Sequence, residues 1–283
     1  HRRPRQQRRN RHDQHGHRRI GHRLLVRAVL GELAGAATLF FVGENLERYT
    51  SLEPYDPRAF RDLGVAYSAV GNLVQAEAAF RKAVELEPTS ADSYMALVLF
   101  LVMNDRFADA RQVFAAYDQH KDGDVDLMAE VVRQLYYDSE GARAVKLADT
   151  EPARVKASAE ANFFLGKIHL EDGRYAVALN HLNLSAQLYK TSSSPYVAMA
   201  TLYRKQSRWS AALKAADRAI KFDEEDCEAY YERACALARL RRLKEAMAAL
   251  EKSVDLDPDH LEWIPDEADL KPLSSLPAFK KLL

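Results

Sequence analysis

Small and apolar residues recur along this chain with a fixed period. Alanine stands at Ala76, Ala110, Ala144, Ala178, Ala212 and Ala246, each 34 residues from the last. Twelve residues before each lies a small or apolar position: Gly64, Val98, Val132, Gly166, Ala200 and Ala234. These are preceded by Leu63, Leu97, Val131, Leu165 and Met199, with Arg233 the exception. Three residues after them come Tyr67, Leu101, Leu135, His169, Tyr203 and Leu237. Steps of three and four place such residues on one face of a helix. Four residues after each alanine, Phe80, Phe114, Ala148, Leu182, Ala216 and Leu250 mark a stripe on a second helix. Small residues in both helices let the axes approach closely while the bulky positions fill the space beside them. The pattern predicts antiparallel helical hairpins, stacked in sequence order.

The window from Pro57 to Ser90, with Phe60, Leu63-Gly64, Tyr67, Gly71 at the turn, Ala76, Phe80, Ala83 and Pro88, resembles the tetratricopeptide repeat. Windows starting at Ala91, Val125, Ala159, Ser193 and Cys227 follow without insertion or deletion. A degenerate one starts at Arg23, keeping Leu46, Tyr49 and Pro54 in register but placing Val42 where the alanine belongs. Helical arrays that read RNA have a period one residue longer, and six unbroken steps argue against them. The resemblance implies an all-α, right-handed superhelical solenoid of helix pairs over residues 23–260, between a basic leader (1–22) and a C-terminal cap (261–283).

Charge divides the chain where composition alone does not. The formal net charge is zero, yet residues 1–23 hold nine arginines against one acid, and the remainder carries 32 basic against 40 acidic residues. The leader has too much like charge and no apolar periodicity with which to fold alone. It reads first as an unstructured remnant of a chain whose start is missing, since it opens on His. Binding of nucleic acid or an anionic membrane through its clustered arginines is the lesser alternative. His12, His15, His17 and His22 sit in it without fixed geometry for a metal. Leu24 to Val42 is interrupted by Arg27 and Glu32, which leaves no apolar run of about 18 residues. It reads as the degenerate first repeat, with a cleaved or anchoring segment as the minority alternative. A cytoplasmic location is expected, with periplasmic or membrane-anchored ones left open.

Catalytic signatures are missing from the sequence: there is no phosphate-binding glycine loop, no His-Glu-x-x-His helix and no G-x-S-x-G turn. Asp118 to Ala129 has the glycine and carboxylates of a calcium loop. It departs from that pattern at His120 and at Ala129, where the bidentate glutamate belongs, and reads as the turn between two repeats. His169 falls in a column otherwise filled by Tyr and Leu, which predicts a packed core histidine and not a base. Cys227 and Cys235, eight residues apart on one helix, would lie about 12 Å apart, too far for a disulfide. No catalytic residue, cofactor site or metal site is expected, and the chain is read as a non-enzyme.

What remains is a binding surface for a protein or peptide segment. In the family that the chain resembles, the first helix of each hairpin lines the concave face. Transferred by register, this places Met95, Leu99, Val102 and Met103 on the inner wall. Arg133, Tyr136 and Tyr137 follow, then Phe163, Phe164 and Lys167, then Arg204. Met95 to Met103 is apolar at every position, so the helix is either covered on both sides or presents a groove to a partner. Along the wall Arg133, Lys167, Arg204, Lys205 and Arg239 lie toward helix C-termini, and Asp126, Glu160, Glu228 and Glu232 toward N-termini. Helix dipoles select that polarity without any ligand, although it also suits an acidic or zwitterionic peptide. The lysine, asparagine and arginine set with which some family members grip a chaperone's terminal carboxylate is missing: the matched positions read Arg61 and Val65, Phe163 and Lys167, and Val197 and Thr201.

The repeat from Val125 to Ser158 is weaker than the others. Ser139 replaces the turn glycine, Gly141 stands where its neighbours have Phe107, Tyr175 and Trp209, and Pro152 interrupts the second helix. A soft point dividing the array into two stiffer halves is expected there. After Pro258 the register ends in Leu261, Trp263, Ile264, Leu270, Leu273, Leu276, Phe279 and Leu282, a closing stretch like that of many bacterial arrays, expected to cover the exposed flank of the last repeat. Two readings of function follow. The first is an interaction scaffold holding a segment in its groove. The second is the regulatory or localising part of a larger enzyme, such as a bacterial signalling kinase, whose catalytic part lies upstream.

Overall fold

The computed structural model describes residues 47–283 apart from Tyr49 and Trp263. The expectations for the arginine-rich leader, for most of the degenerate first repeat and for Trp263 therefore lie outside the described residues. Two compact units make up the chain, dividing between Leu127 and Met128. The first holds α1 (Pro57–Ala69), α2 (Leu73–Leu86), α3 (Ala91–Met103) and α4 (Phe107–His120). At the division comes α5 (Leu127–Tyr137), whose residues from Met128 onward belong to the second unit. That unit continues with α6 (Gly141–Thr150), α7 (Pro152–Ala157), α8 (Ala159–Glu171), α9 (Tyr175–Leu188), α10 (Ser194–Lys205), α11 (Trp209–Phe222), α12 (Cys227–Arg239) and α13 (Leu243–Leu256). Three 3-10 turns (Pro258–Glu262, Ile264–Asp266 and Ala268–Leu273) and α14 (Pro277–Leu282) close it. No strand occurs among the described residues, and none of their helices is long and apolar enough to cross a membrane. The protein is an all-α helical repeat solenoid.

Every hairpin turns in the same way. The residue with positive φ is Gly71, Asp105, Ser139, Gly173, Ser207 or Arg241, again 34 apart. One residue later an amide donates back five positions: Asn72 to Tyr67, Arg106 to Leu101, Glu140 to Leu135, Arg174 to His169, Arg208 to Tyr203 and Arg242 to Leu237, all at 2.8–3.0 Å. These are the bonds of a helix C-terminus closed by a left-handed residue. Glycine adopts that conformation without cost, whereas the four other residues each sacrifice on the order of 1–2 kcal/mol to reach it. The turn is therefore set by the hairpin geometry even where the sequence does not supply glycine. At the starts of first helices, Asp56, Ser90, Ser158 and Asp226 cap with a side-chain oxygen, satisfying amides that have no partner within the helix.

Packing follows the columns. All six alanines of the 34-residue series are completely buried, as are Val98, Val132, Ala200 and Ala234. In α8 a Cβ on Gly166 would lie 2.7 Å from Leu182 Cγ and Cδ2 of α9, and in α1 a Cβ on Gly64 would lie 2.8 Å from the Phe80 ring. Glycine is required at both places by the closeness of the facing side chain.

The weak repeat is irregular where expected, but it holds no gap at Gly141. Pro152 ends α6 at Thr150 and starts the short α7 as its first residue. Ile168 of α8 moves into the space that a large side chain would have filled, its Cγ2 within 3.0 Å of where a Gly141 Cβ would be. The division of the chain falls at the start of α5, within the repeat from Val125 to Ser158. Asp118 to Ala129 forms the end of α4, an exposed connection and the start of α5.

At the C-terminus, Ile264, Leu270, Leu273 and Phe279 are buried in one cluster with Tyr231, Cys235, Leu237, Met247, Leu250 and Val254 of α12 and α13, and Leu261, Leu276 and Leu282 pack against it. The closing segment thus replaces the repeat that would otherwise cover this flank.

Candidate functional site

The first helices of the hairpins carry the residues expected on the inner wall, and the two units present different chemistry. In the first unit, α3 is apolar over more than two turns, but its faces differ in exposure. Tyr94, Leu97, Val98, Phe100, Leu101 and Val102 are buried. Phe100 packs on Phe80 with ring centroids 5.4 Å apart, and Tyr94 on Tyr117 at 5.2 Å. Met95 and Leu99 are half-buried and Met103 is 41% exposed. These three are spaced by four residues and share a face. Val102 is completely buried, which corrects its assignment to an accessible wall: at this register the side chain turns into the packing.

In the second unit, α5 and α8 build an aromatic wall. Tyr136 and Tyr137 lie edge to face at 5.4 Å, and both approach Phe164, at 5.4 and 5.8 Å. Phe163 stands against Phe164 at 5.2 Å. Lys167 Nζ lies 4.8 Å from the Tyr136 ring centroid and 5.7 Å from that of Phe163, and it pairs with no carboxylate among the described residues. A cation held over aromatic faces keeps its charge available to an anion arriving from solvent. Tyr137 is 45% exposed and Phe163 half-buried, whereas Phe164 is buried. Phe164 is therefore the floor of this wall, a correction to its expected place on the surface. The Tyr136 hydroxyl donates to Glu171 at 2.7 Å. Burial, then that carboxylate, pushes its ionisation upward, so it stays a neutral donor.

The charged residues of the wall are mostly engaged within the protein. Arg133 donates to Glu160 of the next repeat at 3.0 Å and also pairs with Glu130. Arg204 is the centre of a larger cluster: Nε bonds Glu232 at 2.9 Å, and Nη1 bonds Glu267 at 2.9 Å and Asp269 at 2.7 Å. The Thr201 hydroxyl also donates to Glu232, at 2.8 Å. Arg204 was expected to face a partner. Its side chain is only 16% exposed, and its partners are Glu232 of α12 and two acids of the closing segment. That segment lies too far along the chain for repeat periodicity to have shown the pairing.

His169 is a packed histidine. It is buried and stacks on His181 of α9 with ring centroids 5.3 Å apart. His181 Nδ1 bonds Asn162 Oδ1 at 2.8 Å, and the Asn162 amide donates to the Val155 and Ser158 carbonyls. Burial first, then Arg174 and His181, lowers the His169 ionisation from 6.5 to about 4. Between those two values the unfolded chain binds the proton and the native state does not, so stability is present above about pH 6.5 and is lost as pH falls toward 4. Thermal melts of a His169→Phe variant are expected to lose less stability over this interval than the parent. An identical pH response would assign the acid sensitivity to other groups.

Two family patterns, both described as tetratricopeptide repeat, match residues 67–135 and 197–260. Over 90 residues, about a third of its length, the chain is 32% identical to the TPR repeat-containing thioredoxin TDX of Arabidopsis thaliana, a match that spans 24% of that protein. Among solved structures, it is similar to the Cut9-Hcn1 hetero-tetramer of APC/C, at 14% identity and TM-score 0.48, covering 88% of this chain and 46% of that one. It is also similar to pilF of Pseudomonas aeruginosa, at 20% identity and TM-score 0.45, covering 75% of this chain and 97% of that one. YrrB, described as a TPR protein with an unusual peptide-binding site, is 16% identical with TM-score 0.36, covering 77% of this chain and 95% of that one. The 34-residue columns, the hairpins that they build and the two matched segments, which include α3–α4 and α11–α13, show that the chain carries tetratricopeptide repeats.

Proposed function

We propose that the chain is a non-enzymatic scaffold that holds an extended segment of another protein on the first helices of its hairpins. The observation that carries this reading is the wall of α5 and α8, where Tyr137 and Phe163 offer aromatic surface to solvent beside Lys167. Such a surface suits apolar side chains flanked by a carboxylate: the rings supply contact area and the lysine sets the register. In the other unit, the Met95, Leu99 and Met103 face offers flexible apolar contact without charge. A pull-down with the full chain, set beside Leu99→Glu and Lys167→Glu variants of unchanged helicity, tests the two surfaces separately. A partner captured by the parent and lost by Lys167→Glu supports the aromatic wall. Capture unaffected by either change would move the binding surface off the first helices.

A second reading, that these repeats are the regulatory or localising part of a larger enzyme, is favoured by the Arabidopsis relative, whose name joins such repeats to a thioredoxin. Recovery of the intact reading frame tests it, and a frame encoding no further domain would remove it. Tethering of the array to nucleic acid or membrane by the arginines of residues 1–22 would appear as steeply salt-dependent binding lost on their deletion.

A further inference from the structure

Cys227 lies 30 residues before Asp257, which His260 closely follows, and the three converge where the last hairpin closes. Cys227 is the first residue of α12, Asp257 follows the end of α13, and His260 stands in the 3-10 turn beyond it. The Cys227 sulfur, a carboxylate oxygen of Asp257 and a ring nitrogen of His260 all lie within 4.8 Å of one another. Tetrahedral zinc with bonds of about 2.0–2.3 Å needs ligand atoms about 3.3–3.8 Å apart, so a closing of at most about 1.5 Å would bring the three onto one ion.

Two of the donors are oriented by bonds that a metal site uses. The Ser253 hydroxyl donates to the Cys227 carbonyl at 3.0 Å and lies 2.5 Å from His260 Nδ1. A hydroxyl whose proton is given to a carbonyl accepts from the ring, which places the imidazole proton on Nδ1 and its lone pair on Nε2. Holding one ring nitrogen through its proton fixes the tautomer and direction of a ligating histidine. Tyr231 packs edge-on against the same ring at 5.5 Å, and His260 is 1% exposed. Asp257 Oδ1 accepts from the Asp259 amide at 3.0 Å, which holds that carboxylate in place.

We propose that Cys227, Asp257 and His260 bind one zinc-class divalent ion, with water as the fourth ligand. Sulfur, imidazole and carboxylate together match zinc and cobalt and do not match the all-oxygen shells of calcium or magnesium. On binding, the Cys227 thiol releases its proton to solvent, and thiolate, carboxylate and neutral imidazole balance the two positive charges of the ion. The ion would link the start of α12 to the segment leaving α13, clamping the final hairpin at its open end.

Titration of the reduced full chain with Co²⁺ tests this. The expected result is thiolate-to-cobalt charge-transfer absorption saturating at one equivalent and displaced by Zn²⁺. Cys227→Ser is expected to abolish the absorption. Asp257→Asn is expected to weaken binding about tenfold or more, the size of loss seen even for groups one shell removed from a metal. The histidines of residues 1–22 can bind cobalt without a thiolate, so d–d absorption without the charge-transfer band counts against the site. So does a band that survives in Cys227→Ser, or a parent that shows no band at millimolar cobalt.

Discussion

Arg204→Ala is expected to cost about 3–5 kcal/mol of stability, the range found when one partner of a buried ion pair is removed and the other stays. Arg204 alone bonds Glu232, Glu267 and Asp269 together, and the Glu232 side chain is 8% exposed. Without the guanidinium, these acids keep Thr201, Tyr231, the Asp269 amide and the Arg239 side chain, 3.7 Å from Asp269, as neighbours. Arg204→Lys is expected to recover part of the loss, since it restores the charge but not the fork that reaches three carboxylates. Denaturant unfolding followed by circular dichroism measures the cost, and faster proteolysis within residues 261–283 would locate it in the closing segment.

The same variant carries a pH signature. Burial pushes the Glu232 carboxyl above its ordinary range, and Arg204 opposes that shift. With Arg204 gone the upward push is unopposed by its main counter-charge, so the native state holds a proton that the unfolded chain releases. Stability conferred by such a group is present at low pH and is lost as pH rises through the raised value. The deficit of Arg204→Ala relative to the parent is therefore expected to be smaller near about pH 5 than near about pH 8. An equal deficit at both would assign the loss to packing of the arginine stem.

Leu182→Ala is expected to cost about 2–5 kcal/mol, because a fully buried leucine leaves a cavity as well as losing its transfer energy. Leu182 is completely buried and sits where a Gly166 Cβ would intrude. Gly166→Ala sets two effects against each other: alanine gains up to about 1 kcal/mol in a helix interior, while overpacking costs about 1–3 kcal/mol. Contact at 2.7 Å reaches Leu182 Cγ as well as a methyl, and the Ala178 carbonyl stands 3.4 Å away. The strain wins, and Gly166→Ala alone is expected to be destabilising. In the double variant the new methyl enters the space that Leu182 vacates. Its cost is expected to fall below the sum of the single variants by about 1 kcal/mol or more. Strict additivity in urea midpoints would show that α8 and α9 do not meet at this pair.

How much the sequence disclosed depended on the distance over which each feature is encoded. The hairpins were legible because each repeat packs mainly on its neighbours and the same contacts recur every 34 residues, so Ala76 through Ala246 and Gly64 through Ala234 report one geometry six times. His169 was legible as core by its column, but its partner His181 was not, since no other repeat has a histidine there. Tyr136, Tyr137, Phe163, Phe164 and Lys167 were placed together by register alone, and the structure moves Phe164 from that surface to its floor. Val102 was misread because apolar residues all round α3 erase the contrast that separates a buried face from an accessible one.

By itself, the sequence determined the all-α repeat architecture, the family and the first helices as the place to look for binding. The tertiary structure decided what those helices have left to offer. It brought the acids of residues 267 and 269 to Arg204, filled the place opposite Gly141 with Ile168, and gathered Cys227, Asp257 and His260 at the end of the last hairpin. None of these contacts repeats with the period, and the closing segment has no register at all, so its partners are fixed only when the chain has folded back onto the last repeats.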